Sequence, residues 1–129
     1  MKRAPAGQRM LIVDDDDSLR QILTWAFEDL GYRVWAAANY RDAVRLARET
    51  AFDCALLDYC LPDGNGHRLS QALTRHLPDI RIVLMSCDRA AAVAEIVDRP
   101  SAEAFVDKPV RPARLHRFYA QAARTATAT

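Results

Sequence analysis

The 129-residue sequence predicts a single α/β domain, in which a parallel sheet lies between layers of helices. Short apolar runs alternate with segments whose apolar residues recur at helical spacing, which indicates buried parallel strands joined by helices. No repeat or linker interrupts this alternation, and the length suits one domain with a sizeable core. Right-handed crossovers then place helices on both faces of the sheet.

The apolar runs and the helical periodicity give the approximate bounds of each element. Strands are predicted at 9–13, 32–37, 53–58, 81–86 and 104–107, the second of them at a sheet edge. The first helix is predicted to end at Gly31, and the second to carry Ala43, Val44 and Ala47. The later helices are predicted near 67–76, from 88 to about 97, and from Pro112 to about 123. The inward stripe of the first helix is predicted to contain Leu19, Ile22, Leu23, Ala26, Phe27 and Leu30.

Polar residues and glycine mark the helix ends. Asp16, Asp17 or Ser18 caps the first helix, Gly31 ends it, and Asn39 caps the second. Pro112 suits the first turn of the last helix. We expect a flexible N-terminus over residues 1–8, a folded domain over 9–123 and a frayed C-terminus over 124–129.

Composition argues against several classes of function. The net charge is +1 and no basic stretch is present, which argues against direct nucleic-acid binding. No apolar stretch approaches the length of a membrane span, and the N-terminus does not resemble a signal peptide. The three cysteines lack the pair spacing of metal sites, so reduced thiols in a cytoplasmic protein are expected.

Four of the apolar runs end in residues that phosphoryl chemistry uses. The first runs into Asp14 and Asp15, the third predicted strand ends at Asp58, the fourth ends at Ser86, and the fifth leads to Lys108. The carboxyl ends of parallel strands meet at one edge of a sheet, where α/β proteins place their sites. The sequence therefore predicts that these residues share one rim.

The residue types at this rim favour a metal-assisted reaction of a phosphoryl group. Adjacent carboxylates suit a hard cation such as Mg²⁺, and Asp58 is a third ligand, a nucleophile, or both. Lys108 and Ser86 supply the ammonium and hydroxyl that neutralise phosphoryl oxygens. Lysine provides only two of the 18 basic residues, at Lys2 and Lys108, which hints at a specific need for the latter.

The fragments LIVDDDDSLR, CALLDYCLPDGNG, IVLMSC and AFVDKPV together resemble the receiver domain of bacterial two-component response regulators, from about Arg9 to Ala123. The resemblance implies a doubly wound, flavodoxin-like (CheY-like) fold with strand order 2-1-3-4-5. It also implies that a histidine kinase or a histidine phosphotransfer protein donates a phosphoryl group to one aspartate. The domain would turn over no external substrate, so it is not expected to be an enzyme in the usual sense.

The same resemblance assigns roles to individual residues. Asp58 matches the phosphoacceptor. Asp14, Asp15 and the backbone carbonyl of Cys60 match the other Mg²⁺ ligands, with Asp15 the more direct of the acidic pair. Lys108 matches the phosphate-contacting lysine, and its bond to Pro109 matches one that is usually cis.

A conformational switch is also implied. Ser86 matches the hydroxyl that moves to the phosphoryl group, and Phe105 matches the aromatic residue that turns inward behind it. The face formed by the fourth helix, the fifth strand and the last helix would then bind a downstream effector protein or domain. A monomer or a weak dimer is expected.

Several positions depart from the family pattern or invite other interpretations. The thiol of Cys60 stands where a polar side chain is common, so we expect it to orient attacking water poorly. His67, His76 and His116 are expected on solvated helix surfaces. Asp63 is expected to cap or solubilise. Trp25 and Trp35 are open to exposure or to partial packing.

Three alternative functions compete with that of a receiver. A receiver-like interaction module that works without phosphorylation is disfavoured by the complete set of rim residues. A Mg²⁺-dependent phosphatase is disfavoured because no second carboxylate stands two residues after Asp58 to act as general acid. A nucleotide-binding domain is disfavoured because no glycine-rich loop follows the first strand. A stand-alone regulator, a relay shuttle and one domain of a longer protein all fit the sequence.

Overall fold

The computed structural model describes residues 7–86 and 104–128, with side-chain environments up to residue 120. The predicted fourth helix at 88–97, Cys87 and most of the predicted flexible N-terminus lie outside the described residues. Within the described ranges, no helix combines the length and apolar character that crossing a membrane requires.

Five parallel strands form the main sheet. They are β1 (Arg9–Val13), β2 (Arg33–Ala37), β3 (Cys54–Asp58), β4 (Arg81–Ser86) and β5 (Ala104–Asp107). Their order is β2-β1-β3-β4-β5, with every neighbouring pair parallel. The predicted order 2-1-3-4-5 and the edge position of the second strand are confirmed.

The described helices are α1 (Asp17–Asp29), α2 (Tyr40–Glu49), α3 (Gly66–His76) and the C-terminal helix (Pro112–Ala128). Asp16 caps α1 and Asn39 caps α2, each accepting from a backbone N–H three residues on. Gly31 follows α1 with a φ of 100°, a conformation that favours glycine. The C-terminal helix ends at Ala128.

Helices cover both faces of the sheet, as predicted. Because successive side chains of a strand point to opposite faces, each strand contributes to two separate clusters. Leu11, Leu57 and Leu84 pack on one face with residues of α2 and α3. Ile12 and Leu56 pack on the other face with residues of α1 and the C-terminal helix.

The predicted stripe of α1 is too wide. Leu23 and Phe27 are buried at its centre, whereas Ile22 is 58% exposed. Trp25, which is not part of the predicted stripe, is 63% exposed. The helix is centred on Leu23 and Phe27, which leaves Ile22 at the margin that turns away from the sheet. Trp35 is half-buried, with its ring 5.6 Å from that of Phe52.

The expectation of solvated histidines is wrong for His67 and His116, which are both buried, and correct for His76. The Nδ1 atom of His116 lies 2.8 Å from the hydroxyl of Tyr32, and the two rings meet edge to face. His116 lies three residues before the buried Tyr119, on the same helix face, and Tyr32 gives it a polar partner. Sequence spacing alone does not reveal a partner 84 residues away.

Candidate functional site

The carboxyl ends of β1, β3, β4 and β5 bring the predicted rim residues to one edge of the sheet. Oxygen atoms of Asp14, Asp15 and Asp58 all lie within 4.8 Å of one another. Ser86 is buried at the end of β4, and its carbonyl accepts a hydrogen bond of 3.0 Å from the backbone N–H of Lys108. Residues that are far apart in sequence thus converge as the strand-end pattern predicts.

Lys108 links two of the carboxylates. Its Nζ donates to Asp14 Oδ2 at 2.9 Å and to Asp58 Oδ2 at 3.2 Å. Asp14 is fully buried, Asp58 is nearly so, and the lysine side chain is only 15% exposed. The lysine therefore neutralises charge where water is largely excluded, and charge-assisted hydrogen bonds are strong there.

Burial and neighbouring charge shift the acidity of this pair. Burial raises the pKa of Asp58, and the charge of Asp14 raises it further, while Lys108 and the Cys60 N–H offset part of this. Burial lowers the pKa of Lys108, but hydrogen bonds and charges from the two aspartates outweigh burial and leave that pKa raised. The charged form of Lys108 is therefore stabilised, whereas the ionised form of Asp58 is destabilised by its surroundings.

The remaining carboxylate oxygens are oriented by the backbone. Asp14 Oδ1 accepts from the N–H of Asp16 at 2.9 Å, and Asp58 Oδ1 accepts from the N–H of Cys60 at 3.2 Å. Arg20 donates to the carbonyl of Asp14 at 2.8 Å. These contacts fix both aspartates on rigid elements, and oxygen ligands of this kind suit a hard cation.

Gly66 is a site residue whose role the sequence did not reveal. A Cβ atom at this position would lie 2.4 Å from the backbone oxygen of Asp58 and 2.8 Å from a methyl group of Leu84. Its N–H also donates to the carbonyl of Tyr59 at 2.7 Å. The start of α3 therefore packs directly against Asp58, and only a residue without a side chain fits there.

The segment between β3 and α3, predicted as a loop of turn formers, contains a small hairpin. Cys60–Leu61 pairs antiparallel with Gly64–Asn65. The side chain of Cys60 is exposed, while Cys54 is buried and burial raises the pKa of its thiol. Asp63 caps a helix, as expected, but this helix is α2 and not α3, which follows Asp63 in the sequence. The two carboxylate oxygens of Asp63 accept from the backbone N–H groups of Tyr40 and Arg41.

Two further observations concern β5 and the residues that follow it. The Lys108–Pro109 peptide bond is cis. Phe105 is half-buried, lies opposite Leu84 in the β4–β5 register and packs against the cluster under α2 and α3.

Comparison with known proteins identifies the family. A family model for the response regulator receiver domain matches residues 10–120. The two-component response regulator ARR14 of Arabidopsis thaliana is 31% identical over 118 residues, which cover 89% of this chain and 31% of that protein. The response regulator receiver protein CpdR of Brucella abortus is 29% identical over 102 residues, which cover 79% of this chain and 85% of that protein.

The length of the relatives varies. The chain covers 21% of the DNA-binding transcriptional regulator NtrC of Azospirillum brasilense, at 30% identity over 100 residues. This match, like that with ARR14, spans a third of the relative or less, whereas the match with CpdR spans most of it.

Solved structures agree with the sequence comparison. A CheY-like receiver domain protein from Methanospirillum hungatei superposes with a TM-score of 0.85 over 96% of this chain and all of that one, at 24% identity. A response regulator from Burkholderia pseudomallei superposes with a TM-score of 0.76 at 26% identity, covering 93% of this chain and 71% of that one. Its structure is described as containing a phosphorylated aspartic acid, a calcium ion and citrate. The chain belongs to the response regulator receiver domain family.

Proposed function

We propose that residues 9–123 form a phosphoacceptor receiver in which Asp58 takes a phosphoryl group from the phosphohistidine of a histidine kinase or phosphotransfer protein. The observation that carries this proposal is the Lys108 ammonium, within hydrogen-bond distance of both Asp14 and Asp58 at the rim. An oxygen of Asp58 would attack phosphorus while the nitrogen–phosphorus bond of the donor breaks, giving an acyl phosphate and a free imidazole.

The residues at the rim fit a divalent cation. Asp14, Asp15, Asp58 and the carbonyl of Cys60 would hold Mg²⁺, which would neutralise charge on the transferring group. The chain's own contribution is to position the nucleophile through the Cys60 N–H and to present the Lys108 ammonium to a phosphoryl oxygen. The proximity of three carboxylates supports this assignment, since the single ammonium of Lys108 balances only one of their three negative charges.

Phosphorylation would act as a switch. We propose that Ser86 turns to the phosphoryl oxygen and that Phe105 moves inward toward the space this leaves. The position of Phe105 supports such a movement, because its half-buried ring lies opposite Leu84 and already packs against the core cluster. The changed face, which includes β5 and the C-terminal helix, would bind an effector protein or domain, and the chain would process no external substrate.

The phosphoacceptor is tested by labelling with acetyl phosphate and Mg²⁺, followed by mapping of hydroxylamine-labile phosphate. We expect labelling of the wild type and of Asp53→Asn, which changes the same residue type at the opposite end of β3, but none of Asp58→Asn. Equal labelling of Asp58→Asn would overturn the assignment. If no donor labels the protein and partner binding persists, the chain is instead an interaction module that works without phosphorylation.

A further inference from the structure

The tip of the hairpin after β3 is hydrogen-bonded to the start of α2. Asp63 Oδ1 accepts from the N–H of Tyr40 at 2.7 Å, and its Oδ2 accepts from the N–H of Arg41 at 3.1 Å. The next residue, Gly64, lies so close to the ring of Tyr40 that an added Cβ would be 3.0 Å from a ring carbon. Two consecutive residues of the tip therefore contact the first turn of α2, which begins at Tyr40, 23 residues before Asp63.

The other end of the same hairpin contacts the phosphoacceptor. The N–H of Cys60 donates to Asp58 Oδ1, and Cys60 pairs with Asn65 across the hairpin. Gly66, which follows the hairpin, packs against the backbone of Asp58. Because the hairpin is only a few residues long, a shift of its tip at Asp63 is transmitted to Cys60.

The contacts of Asp63 are separate from the ordinary cap of α2. Asn39 already caps this helix by accepting from the N–H of Asp42 at 2.8 Å. The N–H groups of Tyr40 and Arg41 belong to the first turn, where a helix has no internal acceptor and water otherwise serves. The helix keeps a cap without Asp63, so these two bonds chiefly constrain the hairpin.

We propose that Asp63 is a positioning residue for the rim: by clamping the hairpin to α2, it sets where the carbonyl and N–H of Cys60 stand relative to Asp58. The inference rests on the proposed function, in which the Cys60 carbonyl is a cation ligand. Hydrogen-bonding partners that orient metal ligands affect metal affinity even though they do not touch the ion.

The test compares Asp63→Ala with Asn39→Ala. Both remove acceptors from the N-terminus of α2, but only the first releases the hairpin. For Asp63→Ala we expect the Mg²⁺ dissociation constant, measured by calorimetry, to rise on the order of tenfold. Labelling by acetyl phosphate should slow at low Mg²⁺ and recover at saturating Mg²⁺. Asn39→Ala should lower the melting temperature while leaving Mg²⁺ affinity near that of the wild type.

A conservative variant completes the design. Asp63→Asn keeps one acceptor oxygen and should recover part of the lost affinity. Wild-type affinity in Asp63→Ala, or the same loss in Asn39→Ala, would overturn the positioning role while labelling of the wild type still supports the receiver. A wild type that neither binds Mg²⁺ nor takes label would overturn both proposals.

Discussion

A methyl group on residue 66 would lie 2.4 Å from the backbone oxygen of Asp58. Gly66→Ala must therefore displace either α3 or the end of β3, and we expect about 1–3 kcal/mol of destabilisation together with slower phosphorylation. Urea denaturation and acetyl phosphate labelling measure the two effects. Wild-type stability and wild-type labelling in Gly66→Ala would contradict this account.

Lys108→Arg is expected to slow phosphorylation about tenfold or more. The ammonium lies between two separate carboxylates at 2.9 and 3.2 Å with little exposed surface, and a planar guanidinium is too wide for that position. Lys2→Arg makes the same chemical change at the other lysine of the chain and is the control, with labelling expected at the wild-type rate. Wild-type labelling rates in Lys108→Arg would show that positive charge alone suffices.

Cys60→Asn is expected to shorten the lifetime of the phosphorylated protein. The side chain is exposed two residues after Asp58, where an amide can orient attacking water and a thiol cannot do so well. The lifetime is measured by following loss of labelled phosphate after the donor is removed. Cys60→Ala removes the thiol without adding an amide and should decay at the wild-type rate; an unchanged lifetime in Cys60→Asn would refute the explanation.

Asp58→Asn is expected to stabilise the fold at neutral pH when a chelator is present. The folded-state pKa of Asp58 is raised by burial and by Asp14, so its ionised form destabilises the fold above that pKa. The gain should be a few degrees in melting temperature at pH 7.5 and should shrink as the pH falls through the raised pKa of the folded-state Asp58 carboxyl. A gain that does not vary with pH, or a loss at pH 7.5, would contradict the assignment. Asp53→Asn serves as the control.

Tyr32→Phe is expected to cost about 1 kcal/mol of unfolding free energy, because it removes the buried hydrogen bond between the Tyr32 hydroxyl and His116. Urea denaturation measures this difference. His116→Phe tests the same contact from the other side, and the double variant should lose less than the sum of the two single variants. Additive losses would show that the hydrogen bond contributes little.

The features that the sequence predicted well are those set by local pattern. The bounds of β1, β4 and β5, the caps Asp16 and Asn39, and the turn at Gly31 depend on neighbouring residues only. The convergence of Asp14, Asp58 and Lys108 followed from the general rule that parallel strands end at one edge.

The features that the sequence did not predict depend on distant partners. His116 is buried against Tyr32, which is distant in sequence. Residue 66 must be glycine because the backbone of Asp58 lies against it. The hydrogen bonds of Asp63 are made to the start of α2. The exposure of Ile22 depends on how α1 is rotated on the sheet, which periodicity defines only to within about one helix position. Each of these contacts is created by packing after the local elements have formed.

The charges around Lys108 also predict the order in which a cation and a phosphodonor bind at the rim. Three carboxylates and one ammonium leave two net negative charges, which one divalent cation would balance. A phosphodonor is itself an anion, so it is repelled by the bare rim and meets a neutral one after the cation has entered. Under the proposed function we therefore expect the cation to bind first, and the apparent affinity for acetyl phosphate to rise with cation concentration.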